Sequence, residues 1–124
     1  MNVELIDSHA HLTSPEVFST IGEVLSNAQA AGVTKIVNIC TDKDTLEKGL
    51  ELHKRFPWIY NTASTTPHDV EKEGEELFPL MEYHARCGDL VAVGETGLDY
   101  YHHHSSPDIQ KKFFVKYLHL ALEC

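Results

Sequence analysis

Two histidines separated by one residue, His9 and His11, close a short apolar run that begins at Leu5. Alternate side chains of a β-strand share a face, so both imidazoles would project to the same side. Paired imidazoles at a strand end are suited to holding a divalent metal. Two more residues of ligand type follow later apolar runs. His68 lies in Thr65-Thr66-Pro67-His68-Asp69, and Glu95 directly follows Leu90-Val91-Ala92-Val93-Gly94. A carboxylate at such a position can bridge two cations, and a two-ion site can generate hydroxide and hold a phosphoryl or acyl oxygen. Gly94 and Gly97 flank Glu95, consistent with a backbone that turns closely beside a ligand. Asp7 has two equally good uses, a hydrogen bond to a ligand imidazole or one to the strand-end backbone.

These side chains form a site only if the chain brings them together. Val3 to Ser8 has the short apolar pattern of a buried strand. Thr13-Ser14-Pro15-Glu16 carries a hydroxyl cap, a proline and an acidic residue in order, and predicts a helix start. Val17, Phe18, Ile21, Val24, Leu25 and Ala28 continue it as one amphipathic helix, closed by Gly32. Thr34 to Cys40 is β-branched and predicts a second strand. A helix from Lys43 to Arg55 follows, capped by Asp42 and stopped by Pro57, with Leu46, Leu50 and His53 inward. Trp58 to Thr62 predicts a third strand. A helix from Phe78 to Cys87 has Pro79 near its first turn, after an acidic stretch (Glu71, Glu73, Glu75, Glu76) read as a solvated loop or helix start. Leu90 to Gly94 is a continuously apolar fourth strand. Ser106-Pro107-Asp108 opens a last helix with the stripe Phe113, Phe114, Tyr117, Leu118, Ala121 and Leu122.

Strands that alternate with helices imply parallel pairing through helical crossovers, hence one α/β domain over residues 1–124. The pattern alone does not separate an open doubly wound sheet from part of a barrel. No Gly-x-Gly-x-x-Gly turn follows the first strand, which argues against a nucleotide-binding version. Sites in parallel α/β folds lie at the carboxyl ends of strands, where His9, His11, His68 and Glu95 all fall. Asp42 at the second strand end is better explained as a helix cap. His102-His103-His104 is expected to be a solvated loop, and His53, His84 and His119 to be packing or surface positions on helices.

Composition narrows the function classes. The 124 residues carry a formal net charge of −9, with 42% hydrophobic and 23% charged residues, an ordinary soluble composition. The acidic excess argues against nucleic-acid binding through a broad basic surface. A polyanionic substrate would have to rely on bound metal where other proteins use arginine. No apolar run approaches the roughly 20 residues of a membrane helix. Met1-Asn2-Val3-Glu4 lacks the basic region of a secretory signal. Cys40, Cys87 and Cys124 give neither a disulfide framework nor a Cys-x-x-Cys metal pair, so a reducing cytoplasm is expected.

Together, His9-Ala10-His11, Pro67-His68 and Val93-Gly94-Glu95-Thr96-Gly97-Leu98-Asp99-Tyr100 resemble the TatD family of metal-dependent hydrolases and deoxyribonucleases. Ser106-Pro107 followed by Gln110 and an apolar helix also matches, and the resemblance runs from Leu5 to Cys124. It implies a (βα)₈ TIM barrel of which this chain holds the first four βα units. It further implies two divalent ions (Mg, Mn or Zn) and cleavage of phosphodiester bonds by two-metal activation of water. The expected activity is that of a 3′→5′ deoxyribonuclease, with DNA or another phosphodiester as substrate. On this resemblance His9 and His11 bind the first metal, Glu95 bridges both ions and is catalytic, and His68 contacts substrate. Asp99 supports the site from the loop beneath it. The family's further ligands are two histidines and an aspartate that follow the fifth, sixth and seventh strands, beyond the four βα units. A half barrel also has open strand edges, so the expectation is either a truncation of a full-length enzyme or a chain stabilised by self-association through those edges. Amidohydrolases and other phosphoesterases also open with His-x-His on a first strand, but Gly-Glu-Thr-Gly-Leu-Asp-Tyr favours TatD. A catalytically inactive half barrel serving as a metal-binding or interaction module is the remaining alternative.

Overall fold

The structure is a computed structural model describing residues 3–124, so Met1 and Asn2 of the N-terminal segment considered above lie outside the described residues. Its elements run β1 (Leu5–Ala10), α1 (Pro15–Phe18), α2 (Ile21–Ala30), β2 (Val33–Cys40) and α3 (Lys43–Arg55). They continue with β3 (Ile59–Ala63), α4 (Val70–Arg86), β4 (Ala92–Val93) and α5 (Pro107–Glu123). The strands form one sheet in the order β1-β2-β3-β4, and every adjacent pair is parallel. No described helix is long and apolar enough to cross a membrane.

Residue parity shows where the helices sit. Ile36, Asn38 and Cys40 of β2, with Ile59, Asn61 and Ala63 of β3, lie on one face of the sheet and are buried. Two apolar clusters cover that face. Leu12, Leu25, Ile36, Leu52 and Ile59 pack under α2 and α3, while Cys40, Leu46, Ala63, Met81, Phe113 and Tyr117 pack under α4 and α5. A doubly wound sheet would send helices to both faces. Four parallel strands with helices on one face form a half barrel, which resolves the choice the sequence pattern left open.

Close packing requires a missing side chain at two helical positions. A Cβ on Gly49 would lie 2.5 Å from Asn61 Oδ1 and 2.9 Å from Cys40 Sγ, so α3 seats against the sheet only because Gly49 has none. A Cβ on Gly74 would lie 2.6 Å from Phe113 Cζ, where α4 crosses α5.

Several expectations are corrected. The first strand is not buried: Ile6 is 61% exposed, because β1 is an outer strand and the barrel-side face has no cover. The first helix is two helices, α1 and α2, broken at Ser19-Thr20, with Thr20 at φ −121° and ψ 27° outside the helical region. In α3 the deep residues are Leu46, Gly49 and Leu52, while His53 is exposed. The acidic stretch is the first half of α4, and Pro79 sits mid-helix. Glu71 and Glu73 suit a helix N-terminus. Val70, Gly74, Leu77, Met81 and Ala85 make a continuous buried stripe, and this packing outweighs the backbone hydrogen bond Pro79 cannot make. The fourth strand shrinks to Ala92–Val93, the two residues that pair with Thr62 and Ala63 of β3. On α5 the buried stripe is Gln110, Phe113, Tyr117 and Leu120, and Leu122 is 84% exposed because no described element covers that end.

Candidate metal centre

The segment carrying His9 and His11 is held by polar bonds rather than by strand pairing alone. The β1–β2 register slips between Asp7 and Ala10, so Ser8 and His9 lie at an irregularity before pairing resumes at Ala10 and Asn38. Asp7 Oδ1 accepts the backbone N–H of His9 at 3.1 Å, so Asp7 shapes the strand end and its carboxylate is engaged with backbone. Immediately after His11, the Leu12 N–H donates to Asn38 Oδ1 at 2.9 Å, and Thr13 Oγ1 donates to the Thr45 carbonyl at 2.9 Å. Asn38 is wholly buried and also donates from Nδ2 to Asn61 Oδ1 at 3.0 Å, while Asn61 Nδ2 donates to the Gly49 carbonyl at 2.8 Å. This buried amide pair anchors the His-x-His segment to β2, β3 and α3. Sequence reasoning missed it, although asparagines in phase on two successive apolar strands were a visible signal.

Asp42 caps α3 as expected: its Oδ1 accepts the Thr45 N–H at 2.8 Å and Thr45 Oγ1 accepts the Asp42 N–H at 3.2 Å, a reciprocal capping box. Cys40, directly before this cap, is not a ligand candidate at neutral pH. Burial, then the nearby Asp42 charge, pushes its thiol up to about 12.

Glu95 comes from the other outer strand. Its backbone carbonyl accepts Ser64 Oγ from the end of β3. Its Oε2 lies 2.9 Å from His9 Nε2 and 3.7 Å from His11 Nε2, and the two imidazole rings are 5.2 Å apart. All three donor atoms lie within 4.8 Å of one another. Two imidazole nitrogens and a carboxylate oxygen, converging and partly exposed, fit a divalent cation.

His68 and Asp99 meet each other rather than this trio. His68 Nε2 is hydrogen-bonded to Asp99 Oδ2, and His102 Nδ1 reaches the same oxygen at 2.7 Å. These bonds, led by the His102 side chain and then that of His68, hold the Asp99 carboxyl well below the usual carboxylate range. The loop is clamped from below by buried Gln110, whose Oε1 accepts the Asp99 N–H at 2.7 Å and whose Nε2 donates to the carbonyls of Asp99 and Ser105, each at 2.8 Å. Ser105 Oγ donates to the His68 carbonyl at 2.9 Å, tying the two loops together. Tyr117 Oη accepts the Thr65 N–H at 3.0 Å and fixes the start of the His68 loop from α5. His102, His103 and His104 lie in an exposed loop as expected, and the His102 and His104 rings lie beside His68 with ring centroids at 5.2 and 4.9 Å. His53, His84 and His119 stay on the helices, away from the site. An open cleft of about 550 Å³, lined by residues that include His68, Glu95, Gly97 and Asp99, joins the two groups.

Helices on one face of a parallel sheet, with candidate metal-ligating histidines and a carboxylate at the carboxyl ends of its outer strands, define the α/β-barrel class. The sequence model of the family described as TatD related DNase matches residues 6–124, and the chain belongs to that family. Over 120 residues it is 34% identical to a protein of Bacillus subtilis named an uncharacterized metal-dependent hydrolase, YabD, covering 96% of this chain and 47% of the relative. Over 120 residues it is 32% identical to the 3′-5′ ssDNA/RNA exonuclease TatD of Enterobacter lignolyticus, covering 97% of this chain and 46% of that protein. The crystal structure of YJJV, a TatD homologue from Escherichia coli, superposes with a TM-score of 0.81 at 26% identity, over 98% of this chain and 48% of that one. A TatD-family hydrolase from Entamoeba histolytica shares the fold, with a TM-score of 0.77 at 24% identity, over 99% of this chain and 47% of that one. The chain thus spans about half the length of the relatives it matches.

Proposed function

We propose that His9, His11 and Glu95 are the ligands contributed by the first and fourth strands to a two-ion centre that hydrolyses phosphodiester bonds in nucleic acid, with 3′→5′ exonuclease action. The observation that carries this reading is the convergence of His9 Nε2, His11 Nε2 and Glu95 Oε2 within 4.8 Å at the carboxyl end of the sheet. Relatives named as 3′-5′ ssDNA/RNA exonucleases support the substrate class. Bound Mg²⁺, Mn²⁺ or Zn²⁺ supplies a hydroxide nucleophile at neutral pH and offsets charge on the phosphoryl oxygens.

Within this reading, His9 and His11 present neutral Nε2 donors, held in direction by the Asp7 and Asn38 bonds to the flanking backbone. Glu95 turns Oε2 to the histidines, and its carboxylate would help hold a second cation beside the first. His68 commits Nε2 to Asp99, so the atom it offers a phosphate oxygen is Nδ1, which donates when the ring carries both protons. The family resemblance places the remaining ligands on strands beyond the four of this chain, and the complete activity belongs to a protein that includes them. A cytoplasmic setting goes with this reading. In the isolated chain, the exposed outer strands β1 and β4 are proposed to pair with a second copy, and sedimentation as a monomer across a concentration series would remove that part.

The test is metal analysis of the chain beside its His9→Ala and Glu95→Ala variants, with hydrolysis of bis-p-nitrophenyl phosphate and single-stranded DNA measured in parallel. Divalent metal uptake at the trio and any hydrolysis should fall together in both variants. Robust hydrolysis unaffected by Glu95→Ala overturns the assignment.

A further inference from the structure

The histidines of the β4–α5 loop are not absorbed by the hydrolase site, and their arrangement is specific. His68 from the β3–α4 loop and His102 from the β4–α5 loop direct one ring nitrogen each at a single oxygen, Asp99 Oδ2. The other carboxylate oxygen is already committed: Asp99 Oδ1 accepts the backbone N–H groups of Tyr101 at 2.9 Å and His102 at 3.1 Å. The carboxylate therefore cannot rotate to serve the two imidazoles separately. Three donor atoms from three side chains lie within 4.8 Å of one another, the same closeness found for His9, His11 and Glu95. His103 adopts φ +57°, and this left-handed step brings the chain back so that the His104 ring lies 4.9 Å from the His68 ring and stacks parallel to His102, at 5° and 5.7 Å.

We propose that His68 Nε2, Asp99 Oδ2 and His102 Nδ1 form a second binding site for a borderline divalent transition metal of the Zn²⁺ type, with the His104 ring packed beside them. A set of imidazoles with one carboxylate is the donor chemistry such ions prefer over Mg²⁺ or Ca²⁺, which favour all-oxygen cages. The site is pre-organised in the way metal ligands need: Gln110 pins the Asp99 backbone on both sides, and Ser105 ties the His68 carbonyl to the same loop. The site stands whether or not the trio of His9, His11 and Glu95 is hydrolytic. It leaves His68 Nδ1 facing away from the ion.

The experiment uses the full 124-residue chain carrying His9→Ala and Glu95→Gln, which disables the trio and isolates the loop site. Zn²⁺ is titrated calorimetrically, and Co²⁺ is added as a spectroscopic probe for its visible absorption in a low-coordinate nitrogen–oxygen site. One Zn²⁺ per chain is expected to remain. Adding His102→Ala, which removes only an exposed ring, should weaken it by at least about tenfold and abolish the Co²⁺ band. Asp99→Asn should do the same, with circular dichroism confirming the fold. His103→Asn, which removes a ring outside the cluster and keeps a residue suited to the left-handed step, should leave binding unchanged. No ion retained in the trio-disabled chain, or retention indifferent to His102→Ala, overturns the proposal.

Discussion

His9 Nε2 and Glu95 Oε2 stand 2.9 Å apart although β1 and β4 are the two outer strands of the sheet. Laid flat, four strands would separate the outer backbones by about 14 Å, three spacings of roughly 4.8 Å. The side chains meet because the sheet curves toward the face they share, opposite the helices. Curvature makes one site out of two motifs near opposite ends of the chain.

A shared cation should make these residues energetically inseparable. In a His102→Ala background, His9→Ala and Glu95→Gln are each expected to lower Zn²⁺ or Mn²⁺ affinity by at least about tenfold. The double variant should lose much less than the product of the single losses, because the second change acts on an ion already released. Calorimetric titration of the four proteins measures the coupling, and strictly multiplicative losses would mean that the two side chains do not hold a common ion.

Asn38 is the anchor whose loss should be felt at a distance. Asn38→Ala strands the Leu12 N–H in the core, leaves Asn61 Oδ1 with only the Cys40 thiol, and is expected to cost about 2 kcal/mol in urea unfolding. Metal affinity at the His-x-His segment should fall as well, although Asn38 touches no proposed ligand. A stability loss with unchanged metal affinity would show that β1 pairing alone positions the histidines.

Gln110 plays the matching part beneath the fourth strand's loop. Gln110→Met keeps the length and the apolar packing but leaves the Asp99 N–H and two carbonyls without partners. A destabilisation of about 1–3 kcal/mol is expected. Hydrogen exchange gives the sharper readout: the Asp99 amide should be protected in the unaltered chain and exchange quickly in the variant.

Cys40 gives a pH signature. Its folded thiol is pushed up to about 12 from an ordinary value of 9.0, so between those values the folded chain keeps a proton that the unfolded chain releases. Stability tied to this group is complete below about pH 9 and is lost as pH rises toward about 12. Alkylation at pH 8 should label exposed Cys87 and Cys124 and spare Cys40. Rapid labelling of all three thiols in the folded chain would contradict the burial argument.

The local code of this chain is strong where neighbouring residues decide the outcome. Strand and helix alternation, the Asp42 cap, the bounds of α3 and the placement of His9, His11 and Glu95 at strand ends all follow from periodicity, capping chemistry and spacing, which act within a few residues. Contacts between elements decided the rest. Pro79 tolerates a mid-helix position because Gly74, Leu77 and Met81 have α5 to pack against. The apolar pattern of β1 does not bury it, since burial depends on what lies opposite and no described element does. His68 and Asp99 each read as accessories to one centre, yet two loops distant in sequence join them to His102 in a cluster of their own. Ring orientation, a left-handed step at His103 and the Gln110 clamp create that cluster, and such relationships exist only once the chain has closed on itself.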